Sequence, residues 1–149
     1  PKAELLVEEY SAVVRQVASP AAAGNPRLLI GGKSMGGRVA SLIADRLRAE
    51  GIVAGLVCLG YPFHPPGKPE QLRTRHLEQL ACPALIVQGV RDPFGSEAEV
   101  KAMILSPQVR IVWAPDGDHD LGPRGASGHT RAGNLALAAD AVAGFARGA

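Results

Sequence analysis

Four short apolar segments, separated by longer stretches with apolar residues at helical spacing, are the feature that most constrains this chain. The segments lie near residues 27–31, 52–59, 84–88 and 109–114. Each has the length of a strand, and 52–59 is almost wholly apolar, as expected for a strand covered on both faces. Strands that alternate with helices form a parallel sheet. The sequence therefore predicts an α/β fold with a parallel sheet and helices on both faces.

The connecting stretches predict five helices, which cover residues 3–18, 35–50, 69–80, 96–105 and a last segment after His129. Ser96 and Glu99 match the capping-box pattern, which marks the start of the fourth helix. Leu135 and Phe145 are among the apolar residues expected to face inward on the last helix. Since no repeat or shift of composition marks a boundary, residues 1–149 are predicted to form a single domain.

Charge and hydropathy exclude several partners. The chain has 16 Lys and Arg and 14 Asp and Glu residues, with a net charge of +2, and the basic residues form no run or stripe. Nucleic acid and anionic membranes are therefore not expected as partners. The apolar runs are far shorter than the ~20 residues of a membrane span, and no secretory signal pattern opens the chain. We expect a cytoplasmic protein.

Cys58 and Cys82 lie in apolar surroundings, outside any C-x-x-C or Cys/His pattern. This is typical of buried, reduced thiols and not of a zinc site, so we predict neither a metal nor another cofactor. Cys58 lies near the end of one predicted strand and Cys82 just before the next. If these strands are parallel neighbours, the thiols lie toward opposite ends of the sheet, and no disulfide is expected.

The segment Gly32-Lys33-Ser34-Met35-Gly36 matches the pattern G-x-S-x-G between a predicted strand and a predicted helix. In such a turn the serine has a strained backbone that lifts its hydroxyl above the sheet edge. Side chains at the two glycine positions are expected to collide with the neighbouring strand or helix. Ser34 is therefore the candidate nucleophile. The Met35 N–H, at the head of the helix, is the candidate oxyanion donor.

Three other structures share a glycine-rich turn of this kind. A phosphate-binding P-loop requires glycine five residues before Gly32, where this chain has Arg27. The dinucleotide fingerprint G-x-G-x-x-G is not supplied by these residues. A serine that caps the following helix remains an open alternative to a nucleophile.

A serine nucleophile needs a histidine base and an orienting carboxylate, which here follow in the chain order Ser, Asp, His, from loops after later strands. Asp92 follows segment 84–88, and His119 follows segment 109–114, so these residues are the candidate acid and base. An aspartate before a proline, such as Asp92, also occurs as an ordinary turn residue. Lower-ranked carboxylates on the loop of His119 are Asp116, Asp118 and Asp120.

Aromatic residues and a second histidine are expected at the same edge of the sheet as Ser34. The candidate substrate-binding residues are Tyr61, Phe63, His64 and Phe94. Ordinary packing under a loop is an equal alternative for the aromatic side chains. His76 is expected to face solvent or to pack locally, and His129 lies near a helix start, where it is a candidate cap.

These motifs resemble the α/β-hydrolase superfamily. More narrowly they resemble its dienelactone-hydrolase-related branch, which contains testis-expressed protein 30 and the non-specific-lethal complex subunit 3. The segments that carry the resemblance are GGKSMGGR at 31–38, GYPFHPPGKP at 60–69, QGVRDPFG at 88–95 and GDHDL at 117–121. The resemblance implies an α/β-hydrolase sheet and the triad Ser34, Asp92 and His119, but no particular substrate.

The superfamily takes a second oxyanion donor from a loop after an early strand, and no such segment precedes Ser34 here. The sequence thus resembles the C-terminal half of the fold, and strand 27–31 is expected to have an open edge. We expect either a preceding segment or self-association at this edge. The predicted function is a serine hydrolase acting on a small ester or related acyl substrate. The alternative is a non-catalytic hydrolase-fold module that binds a partner protein.

Overall fold

The computed structural model describes residues 2–18 and 28–148. Its helices are α1 (Val7–Val17), α2 (Met35–Ala49), α3 (Glu97–Lys101) and α4 (Arg131–Gly148). Its strands are β1 (Leu29–Lys33), β2 (Gly55–Leu59), β3 (Ala84–Gly89) and β4 (Val109–Ala114). Short 3₁₀ turns cover Ala3–Leu6, Arg75–Leu77 and Gly125–Ser127. The predicted loop at 20–26 and residue 27 of the first predicted strand lie outside the described residues.

The four strands form one parallel sheet in the order β1-β2-β3-β4. Successive side chains of a strand point to opposite faces. Accordingly, Ile86 packs in the core that contains α2, whereas Leu85 and Val87 pack with Ala138 of α4. Every residue of β3 is buried. The predicted α/β fold, with helices on both faces of a parallel sheet, is therefore confirmed.

The register brings the carboxyl ends of the strands to one edge of the sheet. Lys33 lies opposite Leu59, Leu59 opposite Val87, and Val87 opposite Val112. The turn at Ser34 and the loops after β2, β3 and β4 consequently start side by side. Residues that are 27 to 85 positions apart in the sequence meet there.

β1 lies at the edge of the sheet and, within residues 2–18 and 28–148, pairs only with β2. On its outer side, the backbone of Gly31 is hydrogen-bonded to a side chain. The Tyr10 hydroxyl donates to the Gly31 carbonyl at 2.9 Å and accepts from the Gly31 N–H at 3.1 Å. Val13 and Val17 of α1, which helical spacing groups with Tyr10, are exposed. The edge is therefore apolar and only partly covered in the described chain.

The predicted helix over 69–80 is wrong, since only the short turn Arg75–Leu77 forms. The Arg73 N–H donates to the Phe63 carbonyl at 2.8 Å, and the Leu77 carbonyl accepts from the Ser106 N–H at 2.9 Å. Backbone hydrogen bonds within this segment are confined to residues 74–78, and other backbone groups bond to distant loops. The spacing of its leucines did not reflect an inward helix face, because Leu72 is exposed.

α4 presents a polar residue to the core. Leu135, predicted to face inward, is exposed, whereas Asn134 and Ala138 are buried. The Asn134 amide donates to the Pro115 carbonyl at 3.0 Å and the Leu121 carbonyl at 2.8 Å. Buried carbonyls need donors, so this face of α4 carries an amide where it meets the loop after β4.

Cys58 and Cys82 are both buried and free, which confirms that they are not bridged. Burial raises the pKa of the Cys58 thiol to about 12 and that of Cys82 to about 11. Both thiols are therefore held in the protonated form. Separately, none of the helices in the described ranges has the length and apolar character needed to cross a membrane.

Candidate active site

Ser34 occupies the sharp turn between β1 and α2. Its backbone has φ 51° and ψ −120°, a conformation that costs free energy in any residue with a side chain. Its N–H donates to the Leu59 carbonyl at 2.9 Å, which fixes the turn against β2. Although Ser34 holds the N-cap position of α2, its side chain makes no capping hydrogen bond. The helix-cap alternative is therefore wrong.

The Ser34 hydroxyl belongs to a hydrogen-bonded chain of three side chains. Its Oγ lies 2.8 Å from His119 Nε2, and His119 Nδ1 lies 2.9 Å from Asp92 Oδ2. A carboxylate only accepts, so Nδ1 carries the imidazole proton and Nε2 accepts from Ser34. The structure thus brings together the three residues that the sequence proposed as nucleophile, base and acid. This geometry allows the Ser34 proton to pass to His119.

Asp92 is held by contacts that the sequence interpretation missed. The carboxylate is fully buried, at 0% exposure. Its Oδ1 accepts from the Phe94 N–H at 2.8 Å, and its Oδ2 accepts from Gln88 Nε2 at 3.1 Å. The Gln88 amide is also buried and exchanges two hydrogen bonds with the backbone of Tyr61. The sequence contained one sign of this contact. Gln88 is a polar residue in an otherwise apolar strand, and such a residue must find buried hydrogen-bond partners.

His119 lies between two close neighbours. The Phe94 ring packs on it with ring centres 4.2 Å apart. On another side is Gly60, which has φ 64°. A Cβ at Gly60 would lie 2.8 Å from the His119 carbonyl oxygen and 3.3 Å from its ring, so both the turn and the contact require glycine. These neighbours fix the imidazole between Ser34 and Asp92.

The three other carboxylates on the loop of His119 have different partners. Asp116 accepts from Arg124 and Arg91, and the Arg124 guanidinium holds the pKa of Asp116 well below its usual range. Asp118 Oδ1 accepts the N–H groups of Asp120 and Gly122 at 2.9 and 2.8 Å. The carboxylate that contacts His119 is thus Asp92, which lies on the loop after β3 and not on the loop of His119 itself.

Asp120 forms an ion pair with Lys33, the residue before the nucleophile. This contact lowers the pKa of the Asp120 carboxyl. The ion pair joins the nucleophile turn to the loop of His119 at the protein surface. It adds a second link between the two segments, beside the contact of Ser34 with His119.

The two glycines of the serine motif differ in what surrounds them. A Cβ at Gly32 would lie 2.7 Å from the Gly36 carbonyl carbon and 2.9 Å from the Gly37 nitrogen, so the predicted collision is present there. A Cβ at Gly36 would meet nothing within 4 Å. The predicted collision at Gly36 is therefore wrong. Gly36 instead lines an open apolar groove beside Tyr10 and Val13 of α1.

Three of the four predicted substrate-binding residues lie in the core. Tyr61 and Phe63 are fully buried, and His64 is only 2% exposed, so none presents its side chain to a ligand in this structure. The reason is that the chain turns inward after β2, and the Tyr61 hydroxyl donates to the Arg73 carbonyl at 2.8 Å. Phe94 remains half-buried beside His119. Met35, next to the nucleophile, is exposed.

The two remaining histidines lie outside this site. Half-buried His76 packs locally, with Nε2 at 2.7 Å from Ser41 Oγ, and burial lowers its pKa to about 4. His129 is exposed. The cap of α4 is instead Thr130, whose Oγ1 accepts from the Gly133 N–H at 3.0 Å. A threonine hydroxyl is a better N-cap acceptor than an imidazole.

Comparison with known families agrees with this geometry. The model of the alpha/beta hydrolase domain family matches residues 1–147. The chain belongs to the α/β-hydrolase family. This α/β-hydrolase domain is similar to a solved alpha-beta serine hydrolase homologue from Coxiella burnetii, with 26% identity and a TM-score of 0.64. The match covers 93% of this chain and 57% of that one, so the domain spans little more than half of its relative.

A second solved structure is similar in fold. It is the esterase domain of a Rhodothermus marinus protein, with 14% identity and a TM-score of 0.63. The match covers 95% of this chain and 68% of that one. Together the comparisons confirm the resemblance to the α/β-hydrolase superfamily, and the narrower branch stays a prediction.

Proposed function

We propose that this protein is a serine hydrolase that acts on a small ester or related acyl substrate. Ser34 Oγ attacks the acyl carbon while His119 Nε2 takes the hydroxyl proton, and Asp92 orients the imidazole. The tetrahedral intermediate expels the alcohol, which receives the proton from His119. Water then hydrolyses the acyl-Ser34 by the same proton transfers, which regenerates the free serine.

The Met35 N–H is the proposed donor to the oxyanion. Met35 is the first residue of α2, so no carbonyl of that helix can accept from its N–H. The amino end of a helix also carries partial positive charge, which favours the negative charge that develops on the substrate oxygen.

The observation that carries the proposal is the 2.8 Å contact between Ser34 and His119, made by a hydroxyl that leaves its own helix uncapped. A second serine–histidine contact in the chain provides a contrast. Ser41 also reaches a histidine, but it is only 2% exposed and its hydroxyl donates to the Arg38 carbonyl. Within the described residues, no carboxylate is hydrogen-bonded to His76. Ser34, unlike Ser41, has a base that is oriented by an acid.

This contrast supplies a matched experiment. The chain is treated with a fluorophosphonate probe, and hydrolysis of p-nitrophenyl acetate and butyrate is measured. We expect Ser34→Ala to abolish both labelling and turnover, whereas Ser41→Ala leaves the site of labelling unchanged. A folded wild-type protein that is neither labelled nor active would contradict the proposal.

The alternative function, a non-catalytic module that binds a partner protein, is favoured by one observation. The open edge of β1 lies beside the exposed apolar side chains of Val13 and Val17. Exposed strand edges with apolar neighbours pair readily with other chains. Failure of Ser34 to label in a well-folded protein would favour this function.

A further inference from the structure

His64 is a buried histidine whose two ring nitrogens both face acceptors. Nδ1 lies 2.7 Å from the Pro65 carbonyl oxygen, and Nε2 lies 3.0 Å from Glu99 Oε2. The residue is only 2% exposed, so water cannot replace either partner. Neither a carbonyl nor a carboxylate oxygen donates a proton. Both nitrogens must therefore carry protons, which makes His64 an imidazolium.

The surrounding charges support this protonation state. Burial opposes the charge on His64, but its contacts with the Pro65 carbonyl and the Glu99 carboxylate outweigh burial and raise the pKa of the imidazole. The charged groups that act on it are Glu99 from α3 and Asp92 from the turn before α3. The Glu99 carboxyl has a lowered pKa because it accepts from the Ser96 backbone and from His64. The contact is thus an ion pair.

The ion pair joins three segments of the site. The Glu99 carboxylate uses Oε1 to accept from the Ser96 N–H in the capping box of α3, and Oε2 to hold His64. The His64 backbone N–H donates to the Phe94 carbonyl at 3.1 Å. Phe94 in turn packs on the ring of His119, and its N–H binds Asp92. His64 therefore links the loop after β2 to the turn that carries the acid.

We propose that the charged His64, held by Glu99, is a positioning residue for the Asp92–His119 pair. This inference rests on the proposed hydrolase function, and His64 does not touch the substrate in it. Loss of the His64 proton leaves an imidazole lone pair against an acceptor oxygen, which loosens the turn of Asp92 and Phe94. Full hydrolytic activity then requires His64 to be charged.

The predicted consequence is a rate that falls as the pH rises. On the alkaline side, His64 loses its proton as the pH rises through its pKa, which lies above the usual value of about 6.5. We expect this fall at high pH, the alkaline limb of the pH profile, to appear in kcat rather than in KM, because His64 acts on the catalytic pair.

Glu99→Gln is the sharpest test, because it keeps the shape of the side chain. The glutamine oxygen still accepts from Ser96, and its amide donates to His64 Nε2, so a neutral imidazole becomes the satisfied form. The neutral contact is weaker than the ion pair that it replaces, so it holds the turn of Asp92 and Phe94 less firmly. We therefore expect kcat to fall roughly ten- to a hundredfold, since a misplacement of about 1 Å costs up to 10²-fold. The alkaline limb should disappear, and His64→Gln should remove it as well.

His76→Gln is the matched control. It removes a half-buried histidine that holds a loop through Ser41, so it reports a general loss of stability. We expect it to leave the alkaline limb of kcat unchanged. If Glu99→Gln and His64→Gln keep the wild-type limb, or if His76→Gln loses it as well, the positioning role is overturned.

A second measurement does not depend on activity. NMR titration of the wild type should show His64 losing its proton above the usual pKa of about 6.5, and titration of Glu99→Gln should show this loss at a lower pH. The proton on His119 Nδ1, bound to Asp92, should give a downfield signal that weakens when His64 loses its charge. A neutral His64 in the wild type, or an identical downfield signal in both proteins, overturns the inference. Absence of Ser34 labelling, by contrast, overturns the proposed function, while the NMR signals of His64 and His119 still test the contact itself.

Discussion

Asp92 and Ser34 stand at the two ends of one hydrogen-bonded chain, but the structure supports them differently. The acid is fully buried, and its two oxygens accept from Gln88, His119 and the Phe94 backbone. The nucleophile is half-buried on a strained turn at the edge strand β1. Beside it, Met35 is exposed. One end of the site lies inside the core, and the other lies beside an open sheet edge.

The difference follows from what each group requires. A carboxylate in the core is costly unless its oxygens are hydrogen-bonded, so on the acid side two side chains, Gln88 and His119, donate to Asp92. A nucleophile requires an accessible hydroxyl and a free helix N–H, which backbone geometry provides. Substitutions on the acid side should therefore act through side-chain hydrogen bonds, and those on the nucleophile side through the backbone.

The largest effect is expected at the acid. Asp92→Asn keeps the shape but lets an amide face His119 Nδ1, which favours the wrong imidazole tautomer, so turnover should fall roughly 10⁴-fold. Asp116→Asn should cost much less, because Asp116 binds Arg91 and Arg124 instead of His119. Rates of ester hydrolysis for both variants decide the matter. A larger loss for Asp116→Asn would show that Asp92 is not the acid and that the acid lies on the loop of His119.

The next effect concerns the backbone of the nucleophile side. Replacing the Ser34–Met35 peptide bond by an ester removes the Met35 N–H and leaves every side chain in place. Turnover should fall roughly 10²- to 10³-fold, as expected for loss of one oxyanion donor. Met35→Ala is the control and should change kcat far less. Equal losses would show that the side chain, not the N–H, matters.

A smaller effect, on stability, separates the two glycines of the serine motif. Gly32→Ala should lower the free energy of unfolding by about 1–3 kcal/mol, because its Cβ collides with the start of α2. Gly36→Ala meets nothing and lies in a helix, so it should raise stability by up to ~1 kcal/mol. Urea unfolding measures both. Similar losses at the two positions would mean that another segment covers Gly36.

The smallest effect on hydrolysis is expected at the open edge. We expect the chain to self-associate through β1, and Tyr10→Phe to strengthen association because it frees the N–H and carbonyl of Gly31. Leu29→Lys should weaken association, while Leu135→Lys, on exposed α4, should not. Analytical ultracentrifugation gives the oligomeric state. Monomers at every concentration for the wild type and Tyr10→Phe would contradict this prediction.

Much of the fold was predictable from local patterns. Apolar runs of strand length marked all four strands, with 84–88 and 109–114 matching β3 and β4 almost residue for residue. The capping box at Ser96 and Glu99 forms as predicted. The pairing of Ser34 with His119 and Asp92 also followed from the sequence, because parallel strands bring their carboxyl ends to one edge.

Only the tertiary structure decided which groups surround those three residues. The side chains of Tyr61, Phe63 and His64 turn into the core, and 69–80 is not a helix, because hydrogen bonds to distant segments override local spacing. Gln88 reaches Asp92 from within an apolar strand. The spacing of apolar residues indicates which residues of a single segment share a face. Which donor meets which acceptor across the sheet depends on strand order and register, and these are properties of the folded chain.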